Sequence, residues 1–393
     1  MSITAPAHIL IVGGGGTGGA LAHDLTLRGL KVTLVDRGEV TSGTTGRHHG
    51  LLHSGARYAV GDKESAVECI EENTILRRIC PGSFEENDGL FVAIDDEDME
   101  YLEPFLKGCA ESGIPTQQLA PSEALALEPN LNPELKAAVR IPDGTMDAMR
   151  MPLRFFATAK HNGASIHPYV EVKDLIVHDR LVSGAVLRDH VTGKEGQIHA
   201  DIVVNATGPW SERIAAMAGV DVPIRPSPGV LLALRGRLCN MVLNRLHKSG
   251  DGDIIVPQRG LSVVGTSSWT VENPDDLGVP EDHVQRMYDE GAKLIPAVKR
   301  VEFRAAWSAA RPLIGSRGDA DTGRELSRTF KTFDHSDSDG VEGFVTITGG
   351  KGTTLRGMAE LCADVICGKL GVEAECRTRE TVLLPHTAYY SDA

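Results

Sequence analysis

The chain has 393 residues, of which 41% are hydrophobic, so it can bury a large core and is long enough for two domains. We expect the two domains to share a cleft. Acidic residues outnumber basic ones by 54 to 40, which gives a formal net charge of -14. This balance argues against a general attraction to nucleic acid. An anionic substrate would therefore need a local cluster of arginine and lysine side chains.

The cysteines and the apolar segments bear on metals and on location. The seven cysteines are odd in number and include no C-x-x-C pair, a pattern typical of reduced thiols in the cytoplasm and not of disulfides, zinc or iron–sulfur sites. The N-terminus has no signal-peptide pattern, and no apolar run reaches the roughly 18 residues that span a bilayer. The sequence predicts a cytoplasmic protein without a metal; peripheral attachment at the inner face of the membrane is left open.

The N-terminal segment alternates between strand, turn, helix and strand. HILIV at residues 8–12 is a short apolar run of strand length, and KVTLVD at residues 31–36 is a second one. Between them lie a run of glycines and a segment, residues 20–28, that carries leucines at helical spacing. Because two parallel strands need such a helical crossover, the segment predicts a βαβ unit.

The glycines of this unit follow the pattern Gly13-x-Gly15-x-x-Gly18. A dinucleotide site needs them for a tight turn, for close approach of the backbone to pyrophosphate, and for packing of the helix against the strand. The helix N-terminus offers N–H groups to the phosphates. Asp36 ends the second strand and is in position to accept a hydrogen bond from ribose. We interpret the unit as a dinucleotide site; a glycine-rich turn without a ligand is the alternative.

Two later segments favour FAD over NAD as the dinucleotide. The apolar strand at residues 202–205 ends at Ala206-Thr207-Gly208, where it can pass the same ligand. A strand at residues 344–348 leads through Gly349–Gly352 into a helix predicted from about residue 353 to residue 370. The backbone N–H groups of that turn offer a further contact. An NAD dehydrogenase would not need this last turn.

Short strands separated by Pro, Gly and Asn lie between these pieces and predict an antiparallel sheet; they are residues 89–94, 138–141, 229–234, 253–256 and 261–265. The predicted fold class is α/β, with a Rossmann-like FAD-binding domain and a second, antiparallel-β-rich substrate domain. The predicted FAD-binding domain is discontinuous and comprises residues 1–85, 150–224 and 305–393. The predicted substrate domain comprises residues 86–149 and 225–304.

Longer motifs indicate a family. Residues 41–58 read TSGTTGRHHGLLHSGARY and residues 65–73 read SAVECIEEN, and VVNATGPW, AARPLIG and ITGGKGTTLRGMAE follow. With these motifs the chain resembles the FAD-dependent glycerol-3-phosphate dehydrogenases, in particular the catalytic large subunit of the anaerobic enzyme, in the D-amino-acid-oxidase-like flavoprotein superfamily. The similarity extends to about Leu384. Many such subunits carry a further C-terminal domain with cysteine pairs, which we expect this chain to lack, so the route by which electrons leave the flavin is left open.

The resemblance implies oxidation of sn-glycerol 3-phosphate to dihydroxyacetone phosphate by hydride transfer to flavin N5, with electrons passed to a quinone or to partner subunits. It implies FAD contacts at Gly13, Gly15, Gly18, Asp36, Arg37, Thr44, Thr45, Gly46, Arg47, Gly50, Val172, Ala206, Gly208, Gly350, Lys351, Gly352 and Thr353. It implies substrate contacts at Arg57, Tyr58, Arg311 and Lys351, and catalytic roles for His53, Arg311 and Lys351.

These residues also suit the chemistry of alcohol oxidation. Removing a hydride from a secondary alcohol requires a base for the hydroxyl proton and positive charge for the alkoxide and the phosphate. The imidazole of His53 titrates in a suitable range. Arg57 and Arg311 can bind phosphate through paired N–H groups, and Lys351 adds a point charge near the flavin. Together they would form the local basic cluster that the acidic composition requires.

Other interpretations are left open. For single residues they are metal binding for His48, His49 and His53, ordinary surface or packing positions for His48 and His49, a structural ion pair for Arg57, a solvated helix start for Lys351 and a core position for Tyr58. Asp143, Asp147 and Arg150 could line the cleft, but turn capping is the favoured interpretation. For the whole chain, the alternatives are an oxidoreductase for another polyol phosphate or a 2-hydroxy acid, and a non-catalytic flavin-holding electron-relay subunit.

Overall fold

The structure is a computed structural model that describes residues 6–315 and 329–391. Its helices are α1 (Gly16–Leu27), α2 (Lys63–Ile79), α3 (Asp96–Glu111), α4 (Pro121–Leu127), α5 (Arg150–His161), α6 (Ser211–Met217), α7 (Glu281–Leu294), α8 (His335–Asp339) and α9 (Leu355–Leu370). Its strands are β1 (His8–Val12), β2 (Lys31–Val35), β3 (Leu51–Leu52), β4 (Phe84–Glu85), β5 (Gly89–Ala93), β6 (Gln117–Leu119), β7 (Ala137–Ile141), β8 (Gly144–Met146), β9 (Ser165–His167), β10 (Val170–His178), β11 (Leu181–Asp189), β12 (Glu195–His199), β13 (Ile202–Asn205), β14 (Ile224–Arg235), β15 (Val242–Arg245), β16 (Ile254–Gln258), β17 (Leu261–Gly265), β18 (Phe303–Ile314), β19 (Phe330–Asp334) and β20 (Phe344–Gly349).

A six-stranded sheet in the order β19-β20-β13-β1-β2-β9 forms the nucleotide half of the molecule. All its neighbours pair in parallel except β19, which is an antiparallel edge strand. Helices α1, α5 and α9 cover one face, and α6 with the small sheet β10-β11-β12 covers the other. Because both faces are covered, its inner strands β1, β2, β13 and β20 are mostly buried and apolar. The predicted Rossmann-like part is confirmed.

The glycine pattern determines where α1 begins. The helix starts at Gly16, four residues before the predicted segment, because glycines there let it approach its neighbours closely. A Cβ added to Gly18 would overlap the carbonyl oxygen of Gly13, and one added to Gly19 would lie 2.6 Å from the ring of Phe156. Gly13 has a φ of +114°, a backbone conformation that residues other than glycine rarely adopt. The turn therefore needs its glycines for its own packing.

An eight-stranded sheet in the order β18-β14-β17-β16-β15-β5-β7-β6 forms the second half, and α7 packs on it. Its strands pair antiparallel, as predicted, except that β5 and β15 are parallel because two separate passages of the chain meet there. β18 pairs with β14 along nearly its whole length. The predicted division placed residues from 305 onward in the FAD-binding domain, whereas β18 belongs to this sheet.

A small sheet has the strand order β3-β8-β4, and its strand β3 directly precedes the segment 53–58. The predicted helix after the second glycine turn is α9, which begins at Leu355. Within residues 6–315 and 329–391, each helix is too short or too polar to serve as a membrane span.

Candidate active site

A cavity of about 850 Å³ lies where the six-stranded and eight-stranded sheets meet. Its walls come from the carboxyl ends of β1, β2, β13 and β20 and from β14 and β18. The predicted site residues that line it are Gly13, Gly15, Asp36, Arg37, Thr44, Thr45, Arg47, His53, Arg57, Tyr58, Val172, Ala206, Gly208, Arg311, Gly350, Lys351 and Gly352. The predicted cofactor residues and the predicted substrate residues therefore share one cavity.

Four predicted cofactor contacts do not line this cavity: Gly18, Gly46, Gly50 and Thr353. A Cβ added to Gly46 would lie 2.6 Å from a backbone oxygen of its own loop, and one added to Gly50 would overlap the side chain of Gln258. The hydroxyl of Thr353 accepts a hydrogen bond from the backbone N–H of His53 at 3.0 Å. Gly46, Gly50 and Thr353 shape the loops behind the cavity wall, and Gly18 lies inside α1.

Asp36 follows β2 at the dinucleotide end of the cavity. Its Oδ2 accepts a hydrogen bond from the N–H of Gly14 at 2.6 Å, and its Oδ1 accepts one from Gly38 at 2.8 Å. Burial raises the pKa of this carboxyl group, and the two backbone N–H groups oppose that rise. Because each carboxylate oxygen has two lone pairs, Asp36 can also accept a ribose hydroxyl. The carboxylate fits a dinucleotide.

The second glycine turn connects β20 to α9. Gly349 and Gly350 have φ values of +87° and +71°, and a Cβ added to Gly350 would overlap the side chain of Met358. The N–H of Lys351 donates to the hydroxyl of Thr354 at 3.1 Å. The turn thus exposes backbone to the cavity at a place where a side chain would not fit.

Three histidines line the cavity side by side. The ring centroids of His48 and His49 are 6.3 Å apart, and those of His49 and His53 are 6.2 Å apart. Burial lowers the pKa of His48 to about 4, and burial with nearby cations lowers the pKa of His49 to about 3 and that of His53 well below its ordinary value. All three rings are therefore neutral near pH 7. Among the described residues, no group of His, Cys, Asp and Glu side chains is arranged to hold a metal ion.

Arg57 forms an ion pair on one side only. Its Nη2 donates to Oδ1 of Asp253 at 2.6 Å, and both side chains are buried. Its Nη1 is buried and has no hydrogen-bond partner among the described residues. The alternative of a structural ion pair is thus correct for Nη2 of Arg57, whereas Nη1 is available to a ligand.

Arg311 is held by acceptors of the protein itself. Its Nε donates to the carbonyl of Ser227 at 3.0 Å, and its Nη2 donates to the carbonyls of Pro228 at 2.8 Å and Ser267 at 2.9 Å. Its Nη1 donates to the hydroxyl of Thr266 at 3.0 Å. With these bonds in place, Arg311 presents a fixed positive charge to the cavity and not a mobile pair of donors.

Lys351 points away from solvent. Its Nζ lies 3.6 Å from Oε2 of Glu68 and 5.1 Å from the ring centroid of Tyr58, and its side chain is only 6% exposed. The alternative of a solvated lysine is therefore wrong. Burial raises the pKa of Glu68, and Lys351 opposes that rise. We did not predict Glu68 as a site residue, since nothing in the sequence of α2 distinguishes it from Glu71 and Glu72.

Asp143 holds the segment that carries His53. Its Oδ1 accepts a hydrogen bond from the N–H of Ser54 at 2.7 Å, and its Oδ2 accepts one from the amide of Asn244 at 3.3 Å. The carboxylate joins two distant segments, so turn capping is wrong for this residue. Turn capping is confirmed for Asp147, which accepts hydrogen bonds from two backbone N–H groups at the start of α5.

Replacing Asp143 with Asn is expected to change how stability depends on pH. Burial raises the pKa of Asp143 from its ordinary value of 3.8 to about 6. As the pH rises, the unfolded chain therefore loses this proton at a lower pH than the folded protein does. As the pH rises through this window, wild type loses up to roughly 3 kcal/mol of stability, which the variant does not lose. Urea unfolding of both proteins at about pH 4.5 and pH 7 measures this. A difference in stability that is the same at both pH values would contradict a raised pKa for Asp143.

A loop at residues 266–280 closes the dinucleotide end of the cavity. Asp275 accepts hydrogen bonds from Arg37 at 2.6 Å, from Arg213 at 2.6 Å and from the indole of Trp210 at 2.8 Å. Burial works to raise the pKa of Asp275, but these donors lower it to about 2. All four residues line the cavity. Of them, only Arg37 was predicted, because the others lie far from it in sequence.

The sequence is similar to a known protein family and to curated proteins. The chain matches the family model described as FAD dependent oxidoreductase over residues 8–365. A subunit of the anaerobic glycerol-3-phosphate dehydrogenase of Escherichia coli K12 is 42% identical over 379 residues, which cover 96% of this chain and 70% of that protein. A subunit of the anaerobic glycerol-3-phosphate dehydrogenase of Haloferax volcanii is 43% identical over 388 residues, which cover 95% and 66%.

Solved structures with the same fold include two enzymes. The glycine oxidase of Geobacillus kaustophilus has a TM-score of 0.75 at 22% identity and covers 97% of this chain and 99% of its own. The glycerol-3-phosphate dehydrogenase of Bacillus halodurans, complexed with FAD, has a TM-score of 0.71 at 23% identity and covers 96% and 68%. The predicted cofactor, FAD, is confirmed by the family match. The chain belongs to the FAD dependent oxidoreductase family and, within it, to the group of anaerobic glycerol-3-phosphate dehydrogenase subunits that the relatives from Escherichia coli and Haloferax volcanii represent.

Proposed function

We propose that this chain oxidises sn-glycerol 3-phosphate to dihydroxyacetone phosphate. FAD, when bound, supplies the two-electron acceptor by taking a hydride at N5. The observation that carries the proposal is that a single cavity joins both glycine turns to a half-buried histidine and three cations. The name of the relative from Escherichia coli, which is a glycerol-3-phosphate dehydrogenase, supports this choice of substrate.

The predicted residues along the cavity wall would hold FAD through backbone and side-chain contacts. They are Gly13, Gly15, Asp36, Arg37, Thr44, Thr45, Arg47, Val172, Ala206, Gly208, Gly350, Lys351 and Gly352. The start of α1 brings N–H groups and a favourable dipole to the pyrophosphate. Gly18, Gly46, Gly50 and Thr353 would act indirectly, by holding these loops in place.

His53 is suited to take the hydroxyl proton of the substrate. Its ring is neutral because burial and the nearby cations lower its pKa, so a ring nitrogen has a lone pair to accept the proton. Its backbone is held on both sides, by the hydroxyl of Thr353 at 3.0 Å and by the amide of Asn73 at 3.1 Å. A fixed base matters, because a shift of about 1 Å can cost roughly 100-fold in rate.

The three cations would divide the work of binding negative charge. Arg57 offers the N–H groups of Nη1 to the phosphate. Arg311 already donates to protein acceptors and stabilises negative charge without having to move. Lys351 would stabilise the developing alkoxide, and Glu68 offsets part of its charge.

Anaerobic addition of substrates to the holoenzyme tests the proposal. Glycerol 3-phosphate is expected to bleach the visible absorbance of the flavin, whereas 2-hydroxy acids and other polyol phosphates at the same concentration are not. Bleaching by one of those compounds alone would assign the substrate to that class. A protein that none of them reduces, and that shows no activity with an artificial electron acceptor, would favour an electron-relay subunit.

We further propose that the electrons pass to partner subunits or to a quinone, because the relatives are named as one subunit of an enzyme. The chain would then act in the cytoplasm, with peripheral attachment at the inner face of the membrane. We also retain the division into a FAD-binding part and a substrate part, with β18 moved to the latter because it pairs with β14.

Replacing Asp275 with Asn is expected to speed the release of FAD by roughly threefold to tenfold at low ionic strength, since exposed ion pairs each contribute up to about 1 kcal/mol. The change removes the charge that ties the loop 266–280 to Arg37 and Arg213. Release is measured from the rise in flavin fluorescence after dilution. Asp276→Asn, one residue along the same loop and not in the cavity wall, is the control. Equal release rates for the two variants would show that the loop does not retain the cofactor.

A further inference from the structure

A single buried carboxylate holds the cation at Arg57. Asp253 lies directly before β16, and its side chain is 0% exposed. Its Oδ1 accepts a hydrogen bond from Arg57 at 2.6 Å. Its Oδ2 accepts one from the N–H of Gly250 at 2.7 Å and lies 3.1 Å from Nε2 of His247. Burial works to raise the pKa of Asp253, but Arg57 and His247 bring it below its ordinary value, so the group is charged.

The position of Asp253 is set by the hairpin between β15 and β16. Its carbonyl accepts a hydrogen bond from the N–H of Arg245, the last residue of β15, at 3.0 Å. The connecting loop turns at Gly252, which has a φ of +66° and where a Cβ would lie 2.9 Å from Glu290. Arg57 comes from a different segment, 196 residues away in sequence. The hairpin therefore fixes the position of Asp253, and Asp253 in turn holds the distant Arg57 through an ion pair.

Arg57 lines the cavity as well as pairing with Asp253. Nη1 of Arg57 is buried and has no hydrogen-bond partner among the described residues. Buried donors on charged groups are normally satisfied, so an unused one in the wall of a cavity indicates a place for an acceptor from a ligand. Ser249, in the same hairpin loop, also lines the cavity there.

We propose that Asp253 is a positioning residue for the substrate: by fixing Nη2 of Arg57, it aims Nη1 at a phosphate oxygen. The inference rests on the proposed function, since it takes a phosphate monoester as the ligand. Charge alone would make the opposite prediction. A carboxylate beside Arg57 cancels positive charge, so its removal would strengthen anion binding if the geometry of Arg57 did not matter.

The test uses holoenzyme variants and two ligands, inorganic phosphate and glycerol 3-phosphate. Binding is followed by the change in the flavin spectrum on titration with phosphate, and flavin reduction by stopped flow with glycerol 3-phosphate. Asp253→Asn is expected to weaken phosphate binding by roughly 10- to 100-fold, the factor that one charge-assisted hydrogen bond supplies. KM for glycerol 3-phosphate should rise by a similar factor, while the reduction rate at saturation changes by less than about threefold.

A double variant separates positioning from a general effect on the fold. In an Arg57→Ala background, Asp253→Asn is expected to cause no further loss of phosphate binding, because its effect passes through Arg57. Asp251→Asn is the matched control, since Asp251 lies in the same loop but pairs with Arg286 at 2.6 Å outside the cavity wall. It should bind phosphate as wild type does.

Arg57→Lys tests the same geometry without altering the buried carboxylate. A lysine can pair with Asp253 but has no second amino group for the ligand, so it should lose phosphate binding as Asp253→Asn does. Wild-type or tighter phosphate binding by Asp253→Asn, full additivity in the double variant, or wild-type binding by Arg57→Lys would each overturn the proposal. If phosphate binding follows the expected pattern but glycerol 3-phosphate does not reduce the flavin, the positioning role stands and the substrate assignment fails.

Discussion

Replacing His53 with Asn is expected to lower the rate of flavin reduction by glycerol 3-phosphate by roughly 100- to 10,000-fold, the range for loss of a general base. The variant keeps a polar side chain of similar size, and FAD should stay bound. Stopped-flow measurement of flavin bleaching without oxygen gives the rate. His8→Asn is the control. His8 is the first residue of β1, its ring lies within hydrogen-bond distance of the hydroxyl of Thr33 in β2, and it does not line the cavity. A His53 variant that is reduced as fast as wild type would place the base elsewhere.

The pH dependence of the wild-type rate provides a second check on His53. A base works only when unprotonated, and an ordinary histidine begins to lose activity below about pH 6.5. Burial and the nearby cations lower the pKa of His53 well below that value. The rate of flavin reduction at saturating glycerol 3-phosphate should therefore stay flat through pH 6 and fall only at lower pH. A fall centred near pH 6.5 would contradict a buried, neutral His53.

Replacing Gly18 with Ala is expected to abolish FAD binding and to destabilise the fold by roughly 1–3 kcal/mol or more, the usual cost of overpacking. The added Cβ would overlap the carbonyl oxygen of Gly13, which belongs to a left-handed turn that cannot easily shift. The visible absorbance of the purified protein reports bound FAD, and urea unfolding reports stability.

Gly368→Ala is the matched control for this variant. Gly368 also lies in a helix, α9, but nothing lies within 4 Å of the position of its Cβ. Alanine there should stabilise the protein by about 0.5–1 kcal/mol through better helix propensity and leave FAD bound. If both variants retain FAD and full stability, the close approach of α1 to the glycine turn is not needed.

Local patterns in the sequence were enough to predict the two glycine turns and Asp36. A strand, a turn and a helix follow one another within about 30 residues, so spacing alone places these groups at one sheet edge. The family resemblance assigned residues 44–47, 50, 53, 57 and 58 to the site, and most of them line the cavity. It did not determine which of these residues face the cavity, and Gly46 and Gly50 lie behind its wall.

Contacts between distant segments could not be predicted in this way. Asp253 lies 196 residues from Arg57 and Asp275 lies 238 residues from Arg37, and no periodic pattern in the local sequence indicates such a pairing. These pairs depend on how the two large sheets face each other. The hydrogen bonds of Arg311 are of the same kind, because its acceptors belong to β14 and to the loop after β17.

The long pairing of β14 with β18 limits how the enzyme can open. Register runs from Ile224 opposite Ile314 to Leu234 opposite Phe303, and the end of β18 also contacts β20 of the other sheet. Ile224 and Ile314 pack in a core cluster with strands of the six-stranded sheet, so a hinge between the halves would have to bend two strands that are bonded along their length. We therefore expect glycerol phosphate to enter and leave through the movement of surface loops, and the radius of gyration in solution to be the same with and without it.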